Sequence, residues 1–242
     1  MSIDTPFTKE NLDSYLRELG KEFRKLNGTK VPAEIVLIGG AAILANYGFR
    51  EMTYDIDAII LASSAMKEAV NHVGDRLGLP NGWLNMDFKN TQSYSDKLPG
   101  ISVYYKTFSN VLTVRSVSAE HLIAMKLMSG RRYKNDLSDV VGILLEHQRN
   151  GSPITLEAVD KAVTTLYGSW TNMPENSKTL ITAVFESGDY EAIFLQNMES
   201  EKQSKDILLD FNKSNPGELK VDNIDTILEQ ARQKRNKDGL ER

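Results

Sequence analysis

Hydrophobic residues near the N-terminus follow first a helical and then a strand-like spacing. In residues 8–26, apolar side chains recur at steps of three and four positions, which is typical of an amphipathic helix. Two short β-branched runs, residues 34–38 and 54–61, predict buried strands. The first run stops at Gly39-Gly40, and residues 41–47 after it have the composition of a helix. This alternation of helices and strands indicates an α/β protein.

The rest of the chain adds a hairpin and then helices. Residues 101–108 and 111–117 predict the two strands of a β-hairpin, whereas residues 83–99 fit neither pattern. Helical spacing predicts further helices over residues 64–77, 118–129 and 135–149, and a mostly helical region over residues 151–242. The sequence Asn-Gly-Ser-Pro at residues 150–153 favours a loop, so we place a domain boundary there, between residues 1–150 and 151–242.

Composition excludes several classes of protein. The 242 residues carry 29 Lys and Arg against 33 Asp and Glu, a net charge of −4, so the chain is not a generally basic nucleic-acid binder. The absence of cysteine excludes a disulfide scaffold, a thiolate metal site and a cysteine nucleophile. No apolar run is long enough to span a bilayer, and the N-terminus does not have the pattern of a signal peptide. We therefore expect a cytoplasmic protein without a membrane partner.

One stretch of the chain is locally basic. Residues 115–134 contain five basic side chains and a single acidic one, Glu120. The basic residues are Arg115, Lys126, Arg131, Arg132 and Lys134. Because nucleic-acid affinity depends on contacts with phosphates, this patch is the expected place for any RNA contact, although an ordinary solvated loop would have the same composition.

Two acidic residues early in the second predicted strand point to metal chemistry. Asp55 and Asp57 lie two positions apart, so on a strand their carboxylates project from the same face. Carboxylates this close repel each other, and a divalent metal with oxygen ligands, such as Mg²⁺, relieves the repulsion. The turn at Gly39-Gly40 lets the backbone approach an anion at a helix N-terminus. The strand order would bring the turn and the acids to one sheet edge, where a nucleoside triphosphate could bind.

Three other interpretations of this segment stay open. The two glycines could form only a tight turn, and the two acids could lie on a solvated strand face. A dinucleotide site of the Rossmann type is a third possibility. It would require a G-x-G-x-x-G spacing that Gly39-Gly40-Ala41-Ala42 does not have.

The order of apolar strand, Gly-Gly, helix, loop and D-x-D resembles the signature of the nucleotidyltransferase superfamily, which includes DNA polymerase β. The segment G-F-R-E-M-T-Y-D-I-D, with Arg50 and Thr53 before the acids, is most similar to AbiEii-like and related bacterial nucleotidyltransferases. The later segment A-E-H-L-I-A-M-K-L-M-S-G-R-R-Y-K-N-D-L-S-D resembles the helix pair of that group. The matches cover residues 33–146, and the resemblance implies a small mixed sheet flanked by helices.

The resemblance also implies roles for individual residues. Asp55 and Asp57 would be catalytic ligands of Mg²⁺ or Mn²⁺. Lys126 and Asp136 would complete the catalytic site, with Asp139 as the second match for the later acid. The nucleotide-binding residues would be Gly39, Gly40, Thr53 and Arg131. Members of the superfamily commonly have a third metal-binding carboxylate, for which Asp87 and Glu120 are the candidates.

The expected reaction is metal-dependent transfer of a nucleoside monophosphate from an NTP to an acceptor hydroxyl. Resemblance to AbiEii-like proteins suggests tRNA or another RNA as acceptor, in a toxin–antitoxin setting in which a cognate antitoxin or toxin would be a protein partner. Two alternatives remain. The fold could be a catalytically silent module that binds nucleotides or proteins, or the D-x-D pair could belong to a metal-dependent glycosyltransferase.

Overall fold

The strands that the hydrophobic runs predict are present in the computed structural model, which describes residues 6–220 and 222–240. In chain order the strands are β1 (Phe7–Thr8), β2 (Ala33–Leu37), β3 (Met52–Thr53), β4 (Ile56–Leu61), β5 (Leu84–Asn85), β6 (Ser102–Phe108) and β7 (Leu112–Val117). Five of them form a mixed sheet in the order β5-β4-β2-β7-β6, and β1 pairs with β3 in a separate two-stranded sheet.

The helices precede, separate and follow these strands. They are α1 (Lys9–Asn27), α2 (Gly39–Asn46), α3 (Ala65–Leu77), α4 (Ala119–Ser129), α5 (Asp136–Arg149), α6 (Leu156–Tyr167), α7 (Glu175–Ser187), α8 (Tyr190–Ser214) and α9 (Ile224–Leu240). The predicted small mixed sheet with flanking helices and the predicted helical C-terminal region are therefore confirmed. None of the described helices is both long and apolar enough to cross a membrane.

Local sequence explains where several of these elements begin and end. Thr8 caps α1 and forms a reciprocal capping box with Asn11, which satisfies amides of the first helical turn. In the β6–β7 hairpin, Ser109 and Asn110 both have positive φ, of 53° and 57°. This backbone geometry fits the right-handed twist of the two strands.

Two segments differ from the predicted pattern. The strand expected over residues 54–61 begins only at Ile56, because the chain bends at Tyr54 and β3 before the bend pairs with β1. The unassigned residues 83–99 contain the short strand β5, one short 3₁₀ helix (Asp87–Asn90) and the beginning of a second (Leu98–Ile101). Both differences arise from strand pairs of only two residues, which are too short to give a hydrophobic period.

The two central strands are buried on successive residues, so both faces of the sheet are covered. In β2, for example, Ile35, Val36 and Leu37 are all fully buried. Helix α2 packs against β4 and β7, and α4 packs against α5 and α6. The main apolar core continues past residue 150, since Val163 of α6 and Val184 of α7 belong to it.

A second, smaller apolar cluster lies between α8 and α9, formed by Leu208, Ile224, Ile227 and Leu228. Helix α8 also packs along α5. The boundary near residue 150 stays a prediction, and the distribution of apolar contacts ties α6 and α7 to the main core.

This continuity of the core can be tested with the two tryptophans. In a Trp170→Phe background, Trp83 reports only on the N-terminal part of the chain. We expect Val163→Ala to lower the free energy of unfolding reported by Trp83 fluorescence by about 2 kcal/mol, because a fully buried side chain is truncated in the shared core. Val31→Ala, at a residue that is 52% exposed, is the matched control. An unchanged Trp83 transition in Val163→Ala would mean that α6 unfolds separately.

Candidate functional site

Antiparallel pairing of β2 with β4 brings the Gly-Gly turn next to the first acidic residue of β4. Leu37 at the end of β2 pairs with Ala58, and the Ile38 amide donates to the Asp57 carbonyl at 3.1 Å. The chain then turns at Gly39, whose φ is +55°. A Cβ atom at Gly39 would lie 3.7 Å from Asp57 Oδ2. The backbone of the turn and the Asp57 carboxylate therefore face each other across a space that a glycine keeps open.

Gly40 is close to the residues that precede the acids rather than to the acids themselves. A Cβ atom there would lie 2.8 Å from Thr53 Oγ1 and 2.9 Å from Arg50 Nη2. Thr53 is buried, and its hydroxyl donates to Asp55 Oδ1 at 3.4 Å. Gly40 thus makes room for Thr53, and Thr53 contacts the carboxylate of Asp55.

Asp55 was expected within the strand, and this expectation is wrong because β4 begins one residue later. Its side chain is exposed, whereas Asp57, inside the strand, is partly buried. The alternation rule for strand faces consequently does not apply to Asp55. The two carboxylates nevertheless interact, since the charge of Asp55 contributes to the raised pKa of Asp57.

The environment of Asp57 disfavours its negative charge. Burial, with the nearby charge of Asp55, raises the pKa of Asp57 to about 6, although the positive charges of Lys134, Lys126 and Arg131 act in the opposite direction. The protein's own cations therefore compensate this carboxylate incompletely. A site that needs more positive charge, and offers carboxylate oxygens, has the donor chemistry that Mg²⁺ prefers.

We call the site of Asp55 and Asp57 the acidic edge. A series of buried ion pairs lies beside it. Lys126 of α4 binds both acids of the first turn of α5, with its Nζ at 2.8 Å from Asp136 Oδ1 and 2.8 Å from Asp139 Oδ2. Arg131 Nε is 2.7 Å from the other oxygen of Asp136, and Arg50 Nη1 is 2.6 Å from Asp139 Oδ2. These three cations and two anions alternate and together carry a net charge of +1, and we call this network the ion chain.

Burial and pairing together fix the charge states in this chain. Burial alone would lower the pKa of Lys126, but Asp136 and Asp139 outweigh it and raise the pKa. Burial alone would raise the pKa of Asp136, but Lys126 and Arg131 outweigh it and hold the pKa well below its usual range. Asp136 is fully buried and stays ionised, so its geometry suits orientation of Lys126 and Arg131 rather than proton transfer.

A cavity of about 250 Å³ joins the acidic edge to the ion chain. Gly39, Asp57, Lys126, Arg131 and Asp136 all line it. Its remaining wall is more apolar, with side chains of Phe88, Leu122 and Met125 beside the hydroxyl residues Thr91, Ser93 and Ser129. The lining of the cavity thus combines charged, hydroxyl and apolar side chains.

The two candidates for a third carboxylate have different positions. Asp87 lines the same cavity as Asp57, whereas Glu120 does not line it and lies on α4 beside His121. In residues 6–220 and 222–240, no three Asp, Glu, His or Cys side chains cluster in a way that could hold a metal ion. A metal at the Asp55–Asp57 edge would therefore take its other ligands from a substrate and from water.

The basic residues of 115–134 do not share one exposed surface. Lys126 is buried in the ion chain, and the Arg115 guanidinium donates to Ser102. Arg132 and Lys134 are exposed in the loop between α4 and α5, and Arg131 is partly exposed there. The predicted patch is thus reduced to the loop 130–135.

Sequence reasoning did not connect two further residues to the acids: Arg50, and Lys134, which it placed only in the basic stretch 115–134. Arg50 binds Asp139 from the loop before β3, and Lys134 lies close enough to the acids for its charge to lower the pKa of Asp57. Burial and the neighbouring charge of Arg131 lower the pKa of Lys134 itself. Both residues occur in the quoted motif segments, but only the tertiary contacts connect them to the acids.

Comparison with known proteins identifies the family of this fold and site. Residues 14–182 match the model of a family described as nucleotidyltransferase of unknown function (DUF6036). The matched region contains the Gly-Gly turn, both acids and the whole ion chain. No curated protein and no solved structure matches the chain.

The raised pKa of Asp57 predicts a pH-dependent stability. Its folded pKa of about 6 exceeds the ordinary value of 3.8, so the protonated form favours the folded state. This contribution is complete below about pH 4 and is lost as the pH rises through about 6. We therefore compare the unfolding free energies of Asp57→Asn and wild type in EDTA. When the pH rises from about 4 to about 7.5, the difference should shift by about 1–2 kcal/mol in favour of Asp57→Asn. Urea unfolding at the two pH values measures this, and parallel pH profiles would contradict it.

The ion chain predicts a large stability difference between two neighbouring lysines. Lys126→Met leaves Asp136 and Asp139 with one arginine each and should lower the free energy of unfolding by about 3 kcal/mol. Lys134→Met, at an exposed residue near the same acids, should change it by less than about 0.5 kcal/mol. Urea unfolding compares the two variants, and equal losses would show that the pairing of Lys126 does not stabilise the fold.

Proposed function

The chain belongs to the nucleotidyltransferase family of unknown function DUF6036, and on this premise we propose that it transfers a nucleoside monophosphate from an NTP to an acceptor hydroxyl in a metal-dependent reaction. The observation that supports this most directly is the proximity of Gly39 to Asp57, whose Oδ2 lies 3.7 Å from the position that a Cβ atom of residue 39 would take. It sets an open backbone turn against a partly buried carboxylate, with a positively charged ion chain on the same cavity.

Asp55 and Asp57 would hold Mg²⁺ or Mn²⁺ in this proposal. Their oxygens suit the ion, and their mutual repulsion would be relieved by it. The bound metal ion would neutralise charge on the triphosphate and on the phosphoryl group in transfer. Thr53 would orient Asp55 through its hydroxyl, and Gly40 would give Thr53 the space to do so.

Cations and backbone amides would bind the triphosphate. Helix α2 has no side-chain cap and no acidic residue in its first turn, so its N-terminal amides at Gly39 and Gly40 are suited to an anion. Arg131 and Lys134 would contact phosphate from the loop between α4 and α5. Lys126 uses two of its three donors on Asp136 and Asp139, so it would contribute mainly charge and Asp136 mainly orientation.

The transfer itself needs positioning more than chemistry from the protein. The acceptor oxygen would attack the α-phosphorus, the bond to the β-phosphate oxygen would break, and pyrophosphate would leave. Asp87, on the same cavity as Asp57, is our candidate to accept the hydroxyl proton. As acceptor we propose RNA, bound through contacts of Arg131, Arg132 and Lys134 with its phosphates. By resemblance to AbiEii-like proteins, the RNA would be tRNA and the setting a toxin–antitoxin pair.

A second candidate is a catalytically silent module on the same fold that binds nucleotides or a protein partner. One observation favours it: among the described residues, Asp55 and Asp57 are not joined by a third side chain in a cluster that could hold a metal ion. Such a module would bind Mg²⁺ and NTP at the same edge without forming pyrophosphate.

Binding and transfer measured together separate these two candidates. We expect wild type to bind Mg²⁺-NTP in titration calorimetry, and to transfer label from an α-³²P NTP to cellular RNA. The Asp55→Asn/Asp57→Asn double variant should bind at least about tenfold more weakly and transfer nothing, because the metal ligands are gone. Asp75→Asn, an exposed aspartate on α3, is the matched control.

Each outcome has a separate meaning. Transfer by wild type that the double variant loses and Asp75→Asn keeps would establish the enzyme. Binding without transfer, lost in the double variant, would establish the silent module. Equal binding by wild type and the double variant would refute the metal–triphosphate site.

A further inference from the structure

The helix that supplies both acids of the ion chain is capped by a residue far along the chain. Asn135, at the N-cap of α5, makes no side-chain hydrogen bond to the helix. Instead, the backbone amides of Leu137 and Ser138 donate to Glu201 Oε1 at 2.8 Å and 3.3 Å. Glu201 belongs to α8, outside residues 14–182 that match the family. A carboxylate at a helix N-terminus satisfies free amides and interacts well with the helix dipole.

Glu201 is buried, and within the described part of the chain only one of its two carboxylate oxygens is hydrogen-bonded. The side chain is only 5% exposed, and its second oxygen, Oε2, is buried with no hydrogen-bond partner among the described residues. A buried acceptor without a partner destabilises the fold. Burial raises the pKa of Glu201 to about 7, whereas its hydrogen bonds with Ser138 and Leu137 act against the rise. Oε1 can accept from the amides whether or not the carboxyl is protonated.

The same pair of helices holds the loop before α5 at a second point. Tyr133, in the middle of the loop 130–135, packs against the apolar cluster of α8 and α9. Arg232 of α9 donates to Ser204 of α8, which links the two helices close to this cluster. The loop is therefore held at Tyr133 by apolar contact and just after its end by Glu201.

We infer that Glu201 is a positioning residue for the nucleotide site, because it caps α5 and thereby fixes Asp136 and the preceding loop, which carries Lys134 and presents Arg131 to the cavity. This inference rests on the proposed function for its nucleotide part. The C-terminal helices would then form part of the site without contacting the substrate.

Three substitutions test the role of the Glu201 oxygen. Glu201→Gln keeps an acceptor for the two amides, and Glu201→Met keeps a similar volume without an acceptor. Glu199→Met, at an exposed glutamate of the same helix, is the matched control. Hydrogen exchange of the full-length protein without ligand gives a readout that needs no activity, and titration with Mg²⁺-ATP, Mg²⁺-GTP, Mg²⁺-CTP and Mg²⁺-UTP gives the affinity.

We expect the Leu137 and Ser138 amides to exchange at least about tenfold faster in Glu201→Met, as for the loss of a hydrogen bond to a charged acceptor. Residues 130–135 should lose protection with them, while strands β2 and β4 keep theirs. The Kd of the NTP that wild type binds should rise about three- to tenfold. Glu201→Gln should restore most of the protection and affinity, and Glu199→Met should match wild type.

Several results would overturn the inference. These are wild-type exchange at Leu137 and Ser138 in Glu201→Met, a Glu201→Gln variant no better than Glu201→Met, or faster exchange with unchanged NTP affinity. If Glu201→Met does not fold, Glu201→Gln must fold with wild-type exchange and affinity, and its failure would count against the inference. If wild type binds no NTP, the proposed function and the nucleotide part fall, and exchange alone decides whether Glu201 fixes the loop.

Discussion

The buried contact of Lys126 with Asp136 and Asp139 organises the rest of the site. Charges in the interior are tolerated only when they are paired, and each acid here has a second cation, Arg131 or Arg50. Those arginines come from the loop after α4 and from the loop before β3. One network therefore ties together α4, α5 and both segments that approach the acidic edge. The same pairing keeps Asp136 ionised, which makes it an anchor for cations and a poor acceptor for protons.

The second constraint is the antiparallel pairing of β2 and β4. It places the end of one strand beside the start of the other, so the turn at Gly39 and the carboxylate of Asp57 share one edge. At this edge the negative charge of Asp57 is not fully compensated, so the edge favours a cation. The ion chain carries a net charge of +1, so it favours an anion. A metal–triphosphate complex, with cationic and anionic parts, is complementary to both.

The C-terminal helices pack in two different places. Helices α6 and α7 complete the main core, whereas α8 and α9 form a cluster of their own, which contacts Tyr133 in the loop 130–135. Glu201 of α8 also binds the start of α5. Helices α8 and α9 lie beyond the family match, which ends at residue 182. The part of the chain beyond the family match thus contacts the segment that carries Arg131 and Lys134.

The sequence by itself determined most helices and long strands, because hydrophobic periodicity and glycine turns are local properties. The mixed sheet and the roles of the motif residues followed from the resemblance to nucleotidyltransferases. The sequence also led to Gly39, Asp57, Lys126, Asp136 and Arg131, which the structure brings to one cavity. Only the tertiary structure decided that Asp55 precedes its strand, that Lys126 binds two acids, and that Glu201 caps α5. These features depend on two-residue strand pairs and on side chains far apart in sequence, and neither gives a local period that a sequence can display.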